Sequence, residues 1–256
     1  MNTLKSTLLE AVQSAGTLIS DRFHTAFSVS HKDGINNLVT EVDQASEQLI
    51  SKLIRSRFPD HGLVGEEYGI SIPDAEYKWI IDPIDGTVNY AHGVPLCCVS
   101  IGLMQADDII LGAVYNPMLN ELFFAEKGKG AFLNDRPITV SGKKDFDSAY
   151  LVTGFPYQFP EGKDPLKIFS KIVASGIPVR RLGSAALDLC WVACGRFDGF
   201  WEYNLQSWDV AAGYLIVEEA GGTITDFAGN PASVWGRETL ATNGHIHETL
   251  RSAIIE

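Results

Sequence analysis

Residues 79–87 read Trp79-Ile80-Ile81-Asp82-Pro83-Ile84-Asp85-Gly86-Thr87. The apolar start has the character of a strand, and two carboxylates arrive at its end. Pro83 fixes φ between them. Gly86 lets the chain turn tightly, and Thr87-Val88-Asn89-Tyr90 can open a short helix. Backbone N–H groups at a helix start can hold phosphate oxygens. One turn would then set metal-ligating carboxylates beside anion donors. The same residues also make an ordinary turn, since Asp, Pro and Gly all favour one.

Working outward, three more acidic stretches bear on that choice. Gly65-Glu66-Glu67 follows a short apolar run and again places a carboxylate at a strand end, although a Glu pair alone is usually a solvated surface feature. Trp208-Asp209-Val210-Ala211-Ala212-Gly213 opens a helix, with Ser207 expected as its N-cap. Taken alone, Asp209 would simply complement the helix dipole. Thr40-Glu41-Val42-Asp43 has the spacing of a capping box. Mg²⁺ prefers oxygen ligands and keeps several waters, so carboxylates at element ends make a suitable cage for it.

The composition narrows the function classes. The chain has 256 residues with 20 Lys and Arg against 32 Asp and Glu, a formal net charge of -12. Such a surface disfavours nucleic acid or an anionic membrane as primary partner. An anionic substrate would need a positive group in the site, and a metal is the simplest supplier. Hydrophobic residues make up 45% and charged residues 20%, the profile of a soluble globular protein. Cys97, Cys98, Cys190 and Cys194 form no CxxC pair, and core packing in a reducing compartment explains them. The N-terminus is amphipathic without a continuous apolar core, so it reads as neither signal peptide nor membrane span, and a cytoplasmic location is the expectation.

Periodicity predicts helices over the first twenty residues and over 41–58, then strands at 62–65, 78–82, 97–103, 109–114 and 121–125. Beyond Ser141-Gly142-Lys143-Lys144-Asp145-Phe146-Asp147-Ser148, strands (150–153, 178–182, 198–203, 223–225) alternate with helices (165–174, 184–194, 207–220, 248–255). The reading is an α+β N-terminal subdomain over 1–145 carrying most of the metal ligands. An α/β subdomain over 146–256 completes the site.

Gly65-Glu66-Glu67, the tract Trp79 to Asn89 and Trp208 to Gly213 together resemble the three signatures of the inositol monophosphatase family, lithium-sensitive metal-dependent phosphatases, and the likeness covers nearly the whole chain. Leu38 to Asp43 and Gly183-Ser184-Ala185-Ala186 are similar to two weaker signatures. The resemblance implies a layered αβαβα sandwich, usually a homodimer, with two or three Mg²⁺ per site. It makes Glu66, Asp82, Asp85, Asp209 and the Ile84 carbonyl the metal ligands. Glu66 and Thr87, the latter paired with Asp43, would position and activate water. The substrate would lie along Ile84, Asp85, Gly86, Thr87, Gly183, Ser184, Ala185 and Asp209, with Glu202 on its hydroxyls. Lys32 falls where the family has a lysine near the metals. Asn204 stands where many relatives have Gly, and Asn tolerates a left-handed backbone. The implied activity is hydrolysis of a small phosphorylated alcohol, inositol monophosphate first. Histidinol phosphate, fructose 1,6-bisphosphate and 3′-phosphoadenosine phosphate are the alternatives. The haloacid-dehalogenase signature Asp-x-Asp-Gly-Thr differs in spacing from Asp82-Pro83-Ile84-Asp85-Gly86-Thr87, which speaks against that family. A regulatory binding protein in transcription or RNA processing is the non-enzyme alternative, but it should have lost a metal ligand, and this chain keeps all of them. His92, Trp191, Trp201 and Trp235 are read as structural.

Overall fold

The structure is a computed structural model that describes residues 2–32 and 37–255. The chain begins with α1 (Asn2–Arg22), β1 (Val29–His31), β2 (Leu38–Thr40) and α2 (Glu41–Arg57). Then come β3 (Gly62–Gly65), β4 (Gly69–Ser71), β5 (Tyr77–Asp85) and the short helix α3 (Thr87–Ala91). Strands β6 (Cys98–Gln105), β7 (Asp108–Asn116), β8 (Glu121–Glu126), β9 (Ala131–Leu133) and β10 (Arg136–Ile138) follow. The rest runs β11 (Leu151–Thr153), α4 (Pro165–Ala174), β12 (Val179–Arg180), α5 (Ala185–Ala193), β13 (Gly199–Tyr203), α6 (Ser207–Glu219), β14 (Thr223–Thr225), β15 (Glu238–Thr242) and α7 (His247–Ile255).

These elements stack in five layers, the αβαβα order the resemblance implied. Helices α1 and α2 cover one face of an eight-stranded sheet of order β10-β9-β8-β7-β6-β5-β3-β4. That sheet is antiparallel except where β3 lies parallel to β5. Helices α5 and α6 fill the middle layer. A five-stranded sheet of order β12-β11-β13-β15-β14 comes next, and α4 and α7 close the far side. This second sheet is mixed, because β15 runs antiparallel between β13 and β14. Three apolar cores fill the stack: one under α1 and α2, one around α5 and α6 that reaches both sheets, and one under α4 and α7.

Local signals explain the outer helices. Leu8, Ala11, Val12, Ala15 and Ile19 put one buried stripe of α1 on the large sheet. Helix α2 starts at a capping box between Thr40 and Asp43, as the spacing predicts. Helix α6 differs: it is buried on both sides, between two sheets. It approaches β6 and β7 closely because both carry glycine there. A Cβ on Gly102 would lie 2.9 Å from the Ala211 Cβ, and one on Gly112 would lie 2.9 Å from the Ala212 carbonyl oxygen.

Several expectations need correction. Strand 178–182 shrinks to Val179–Arg180. Strands β1, β2, β4, β9, β10 and β15 carry no strong sequence signal, being short or polar, and pairing across the sheets creates them. Ser207 is the first residue of α6 rather than its cap, and Gln206 takes the cap position. Trp191 and Trp201 are core residues, whereas Trp235 is 51% exposed. All four cysteines are free, and Cys97, Cys98 and Cys190 are buried.

Candidate active site

Strand β5 delivers the first two carboxylates through a bulge. Asp82 pairs with Ser100 of β6 and Asp85 with Cys98, so β5 carries one extra residue over that span. In an unbroken strand, residues three apart face opposite sides of the sheet. The extra residue, at Pro83-Ile84, turns Asp82 and Asp85 to one side. Proline suits the bulge because it has no N–H to contribute to the ladder. Asp209 arrives from the first turn of α6, and the carboxylates of Asp82, Asp85 and Asp209 offer ligand atoms within 4.8 Å of one another.

Each carboxylate is oriented by its own partners. Asp82 accepts from the Ile84 N–H at 3.0 Å, and Asp209 accepts from the Gln206 N–H at 2.7 Å. Asp85 accepts from the Ser184 hydroxyl at 2.6 Å and the Ala186 N–H at 2.7 Å, which binds the large sheet to the start of α5. Burial, then the charges of the neighbouring acids, pushes Asp82 and Asp209 well above the ordinary carboxylate range. Burial also raises Asp85 to about 6, against the pull of Ser184 and Ala186. Carboxylates this close and this dry repel one another unless a cation or protons join them. An all-oxygen, negatively charged donor set fits a hard divalent cation, so the residues present suit the metal that the resemblance implies.

Glu66 follows β3 and lines the same cavity, but it stands outside the three-carboxylate cluster. Its carboxylate accepts from Lys32 Nζ at 2.8 Å, and Lys32 also bonds Glu67. Lys32 is thus the protein's own counter-charge at this edge. The turn carrying Glu66 is clamped from below by Glu47 of α2, which accepts from the Glu67 N–H at 2.8 Å and the Tyr68 N–H at 3.1 Å. Gly65 makes room for it: a Cβ there would lie 1.9 Å from Glu47 Oε1. Sequence reasoning missed Glu47, since an acid within an amphipathic helix looks like a solvated residue.

Thr87 and Asp43 meet as expected, and the capping box is present as well. The Thr87 hydroxyl lies 3.0 Å from Asp43 Oδ1 and 2.9 Å from the Ile84 carbonyl oxygen. The other oxygen, Asp43 Oδ2, accepts from the Thr40 N–H at 2.8 Å. One carboxylate therefore serves both roles. Burial raises Asp43 to about 6. The N-cap of α3 is Gly86, with φ +89°, and Thr87 makes no capping bond.

A cavity of about 1230 Å³ joins these groups. Ile84, Asp85, Gly86, Thr87, Gly183, Ser184, Ala185, Glu202 and Asp209 all line it, so each residue expected near the substrate reaches one space. Asn89 ties its two sides by donating to the Leu96 and Leu182 carbonyls at 2.7 and 2.8 Å. Glu202 of β13 rests against Gly154, where a Cβ would lie 2.0 Å from Glu202 Oε2. Asn204 has φ +64°, the left-handed conformation its identity allowed. His92 also lines the cavity, and its Nδ1 lies 2.8 Å from the Val88 carbonyl oxygen within its own turn. Asp188, which the sequence did not single out, also lines the cavity.

The inositol monophosphatase family model matches residues 1–256. An inositol-1-monophosphatase of Synechocystis sp. is 43% identical over 96% of this chain and 86% of its own length. The Nus factor SuhB of Pseudomonas aeruginosa is 42% identical over 99% of this chain and 96% of its own. Among solved structures, the extragenic suppressor protein suhB of Bartonella henselae superposes with a TM-score of 0.93 at 37% identity, covering 98% of each chain. The family model spans the whole chain and the solved relative shares its αβαβα fold, and the chain belongs to the inositol monophosphatase family of metal-dependent phosphomonoesterases.

Proposed function

We propose that this enzyme is a Mg²⁺-dependent phosphatase of small phosphorylated alcohols, with inositol monophosphate as its preferred substrate. One observation carries the reading: Asp82, Asp85 and Asp209 converge within 4.8 Å on the wall of a cavity that also holds Thr87 and Glu202. In this reading Glu66, Asp82, Asp85, Asp209 and the Ile84 carbonyl hold two or three Mg²⁺. When bound, such ions offset phosphate charge and acidify a water. The chain's own residues supply the rest. Glu66 and the Thr87–Asp43 pair take up and orient the protons of the attacking water. Backbone N–H groups of Gly86 and Thr87, at the start of α3, would donate to phosphate oxygens. Gly183, Ser184 and Ala185 shape the wall beside the substrate, and Glu202 accepts from its hydroxyls.

Phosphate release from inositol 1-phosphate, histidinol phosphate, fructose 1,6-bisphosphate and 3′-phosphoadenosine phosphate tests this reading. Turnover is expected only with Mg²⁺, suppressed by Li⁺ or excess Ca²⁺, and highest in kcat/KM for inositol 1-phosphate. Full turnover in EDTA would remove the metal, and a tenfold preference for another substrate would replace inositol phosphate. A regulatory role beside catalysis is favoured by one finding, the Nus-factor name of a relative 42% identical. With a net charge of -12, that role would run through protein contacts rather than RNA phosphates. The homodimer that the resemblance implies is checked by light scattering of the purified chain.

A further inference from the structure

Asp188 sits one turn into α5, past the N-cap Ser184, and is 1% exposed. Its backbone N–H makes the ordinary helical bond to the Ser184 carbonyl at 3.0 Å. Its Oδ1 has no hydrogen-bond partner among the described residues, although the residue lines the active-site cavity. A buried acceptor left without a partner costs free energy, so a chain that keeps one has a use for it. Among charges, the carboxylates of Glu202 and then Asp85 act on it most strongly, and Arg181 offsets them only in part. Glu202 lines the same cavity and cannot withdraw sideways, because the Gly154 backbone backs it.

We propose that Asp188 is a specificity-determining residue that hydrogen-bonds a hydroxyl of the substrate's alcohol beside Glu202, so that the enzyme prefers polyhydroxylated alcohol phosphates to hydroxyl-poor ones. This rests on the phosphatase reading above and adds a second contact to it. Two carboxyl groups on one cavity wall match neighbouring hydroxyls on one ring. Burial and the charge of Glu202 hold Asp188 well above the ordinary carboxylate range, so it offers an O–H donor as well as an acceptor. A hydroxyl, itself both donor and acceptor, satisfies that pair, whereas an ammonium group can only donate.

The test compares kcat/KM for inositol 1-phosphate with that for ethyl phosphate in the wild type, Asp188→Leu and Asp188→Asn. Leu keeps the bulk and removes the hydrogen bond. The inositol-to-ethyl ratio should fall about ten- to a hundredfold, through KM of the inositol ester. Asn can still bond a hydroxyl and should recover most of it. Melting temperature should hold or rise by a few degrees in Asp188→Leu, because a buried carboxyl with an unpartnered oxygen is gone. A ratio unmoved in Asp188→Leu, or an equal fall on both esters, overturns the proposal. Wild type that is active with an unmoved ratio in the variant sinks Asp188 alone; wild type that cleaves neither ester sinks the phosphatase reading with it. If Asp188→Leu fails to fold, a crystal of the wild type soaked in inositol decides the matter. A ring hydroxyl within hydrogen-bond distance of Asp188 Oδ1 is expected, and a ring turned away with water at Oδ1 overturns it.

Discussion

The Asp43 carboxylate divides its two oxygens between different tasks. Oδ2 closes the capping box at the start of α2, and Oδ1 faces the Thr87 hydroxyl across 3.0 Å. Substitutions can separate the two. Thr87→Ala removes only the cavity side and should lower kcat about 10²-fold with little change in melting. Asp43→Ala removes both sides, so it should lose a similar factor in kcat and also about 0.5–2 kcal/mol of stability. The double variant should be no slower than the worse single one, because the pair acts as a unit. Early melting with normal turnover in both would reduce Asp43 to a helix cap. Asp85→Asn and Asp209→Asn keep shape but each remove a charge from the cluster. Both should fold, lose most turnover, and show weaker Mg²⁺ binding by calorimetry. A folded variant with near-normal kcat at ordinary Mg²⁺ would take that residue out of the site.

At the scale of elements, the site depends on how α2 and β3 are joined. Glu47 accepts two backbone N–H groups from the turn after β3, and Gly65 leaves it the room. That turn carries Glu66. Glu47→Gln keeps the shape but weakens acceptance from two N–H donors. The turn should loosen, and the Mg²⁺ concentration for half-maximal activity should rise about tenfold while the far-UV spectrum stays unchanged. Unaltered metal dependence would show that the turn holds without the clamp. The middle layer offers a matching test. Gly112→Ala pushes a methyl against the backbone of α6, and overpacking of that kind costs about 1–3 kcal/mol. Denaturant unfolding should show that loss, since a carbonyl group cannot swing aside as a side-chain tip does.

The whole molecule carries its acidic cluster at a cost that metal relieves. Burial and mutual repulsion raise Asp82, Asp85, Asp209 and Glu202, the last to about 8 from an ordinary value near 4.5. A raised carboxyl holds a proton in the folded chain that the unfolded chain has already lost. Its stabilising contribution is therefore complete below the unfolded value and disappears as pH rises through the folded one. His61 and His247, lowered by burial, push the other way, but the carboxyl groups outnumber them. Stripped of divalent metal, the protein should melt several degrees lower at pH 8 than at pH 6. Added Mg²⁺ should reverse the order, because it binds the ionised cluster and is opposed by protons. A metal-free protein with a higher melting point at pH 8 would contradict this account.

What residue order determined by itself was local. The apolar stripes of α1 and α2, the Thr40–Asp43 capping box and the limits of α4 at Pro165 and Ala174 all follow from patterns within a few residues. The Asp82-Pro83-Ile84-Asp85-Gly86-Thr87 tract was legible as a site because its proline and glycine constrain the backbone wherever it lies, and its company with two other acidic tracts made the family recognisable. Convergence was another matter. Asp85 meets Ser184 across 99 positions, and Thr87 meets Asp43 across 44. Each of those residues has a satisfactory local explanation, as turn, cap or surface acid, so sequence alone leaves their meeting open. Only the packed sheets decided that a bulge turns Asp82 and Asp85 to the same side, that Glu47 clamps the Glu66 turn, and that Asp188 Oδ1 is buried without a hydrogen-bond partner among the described residues. Burial and long-range pairing set those features, and neither has a signature in neighbouring residues.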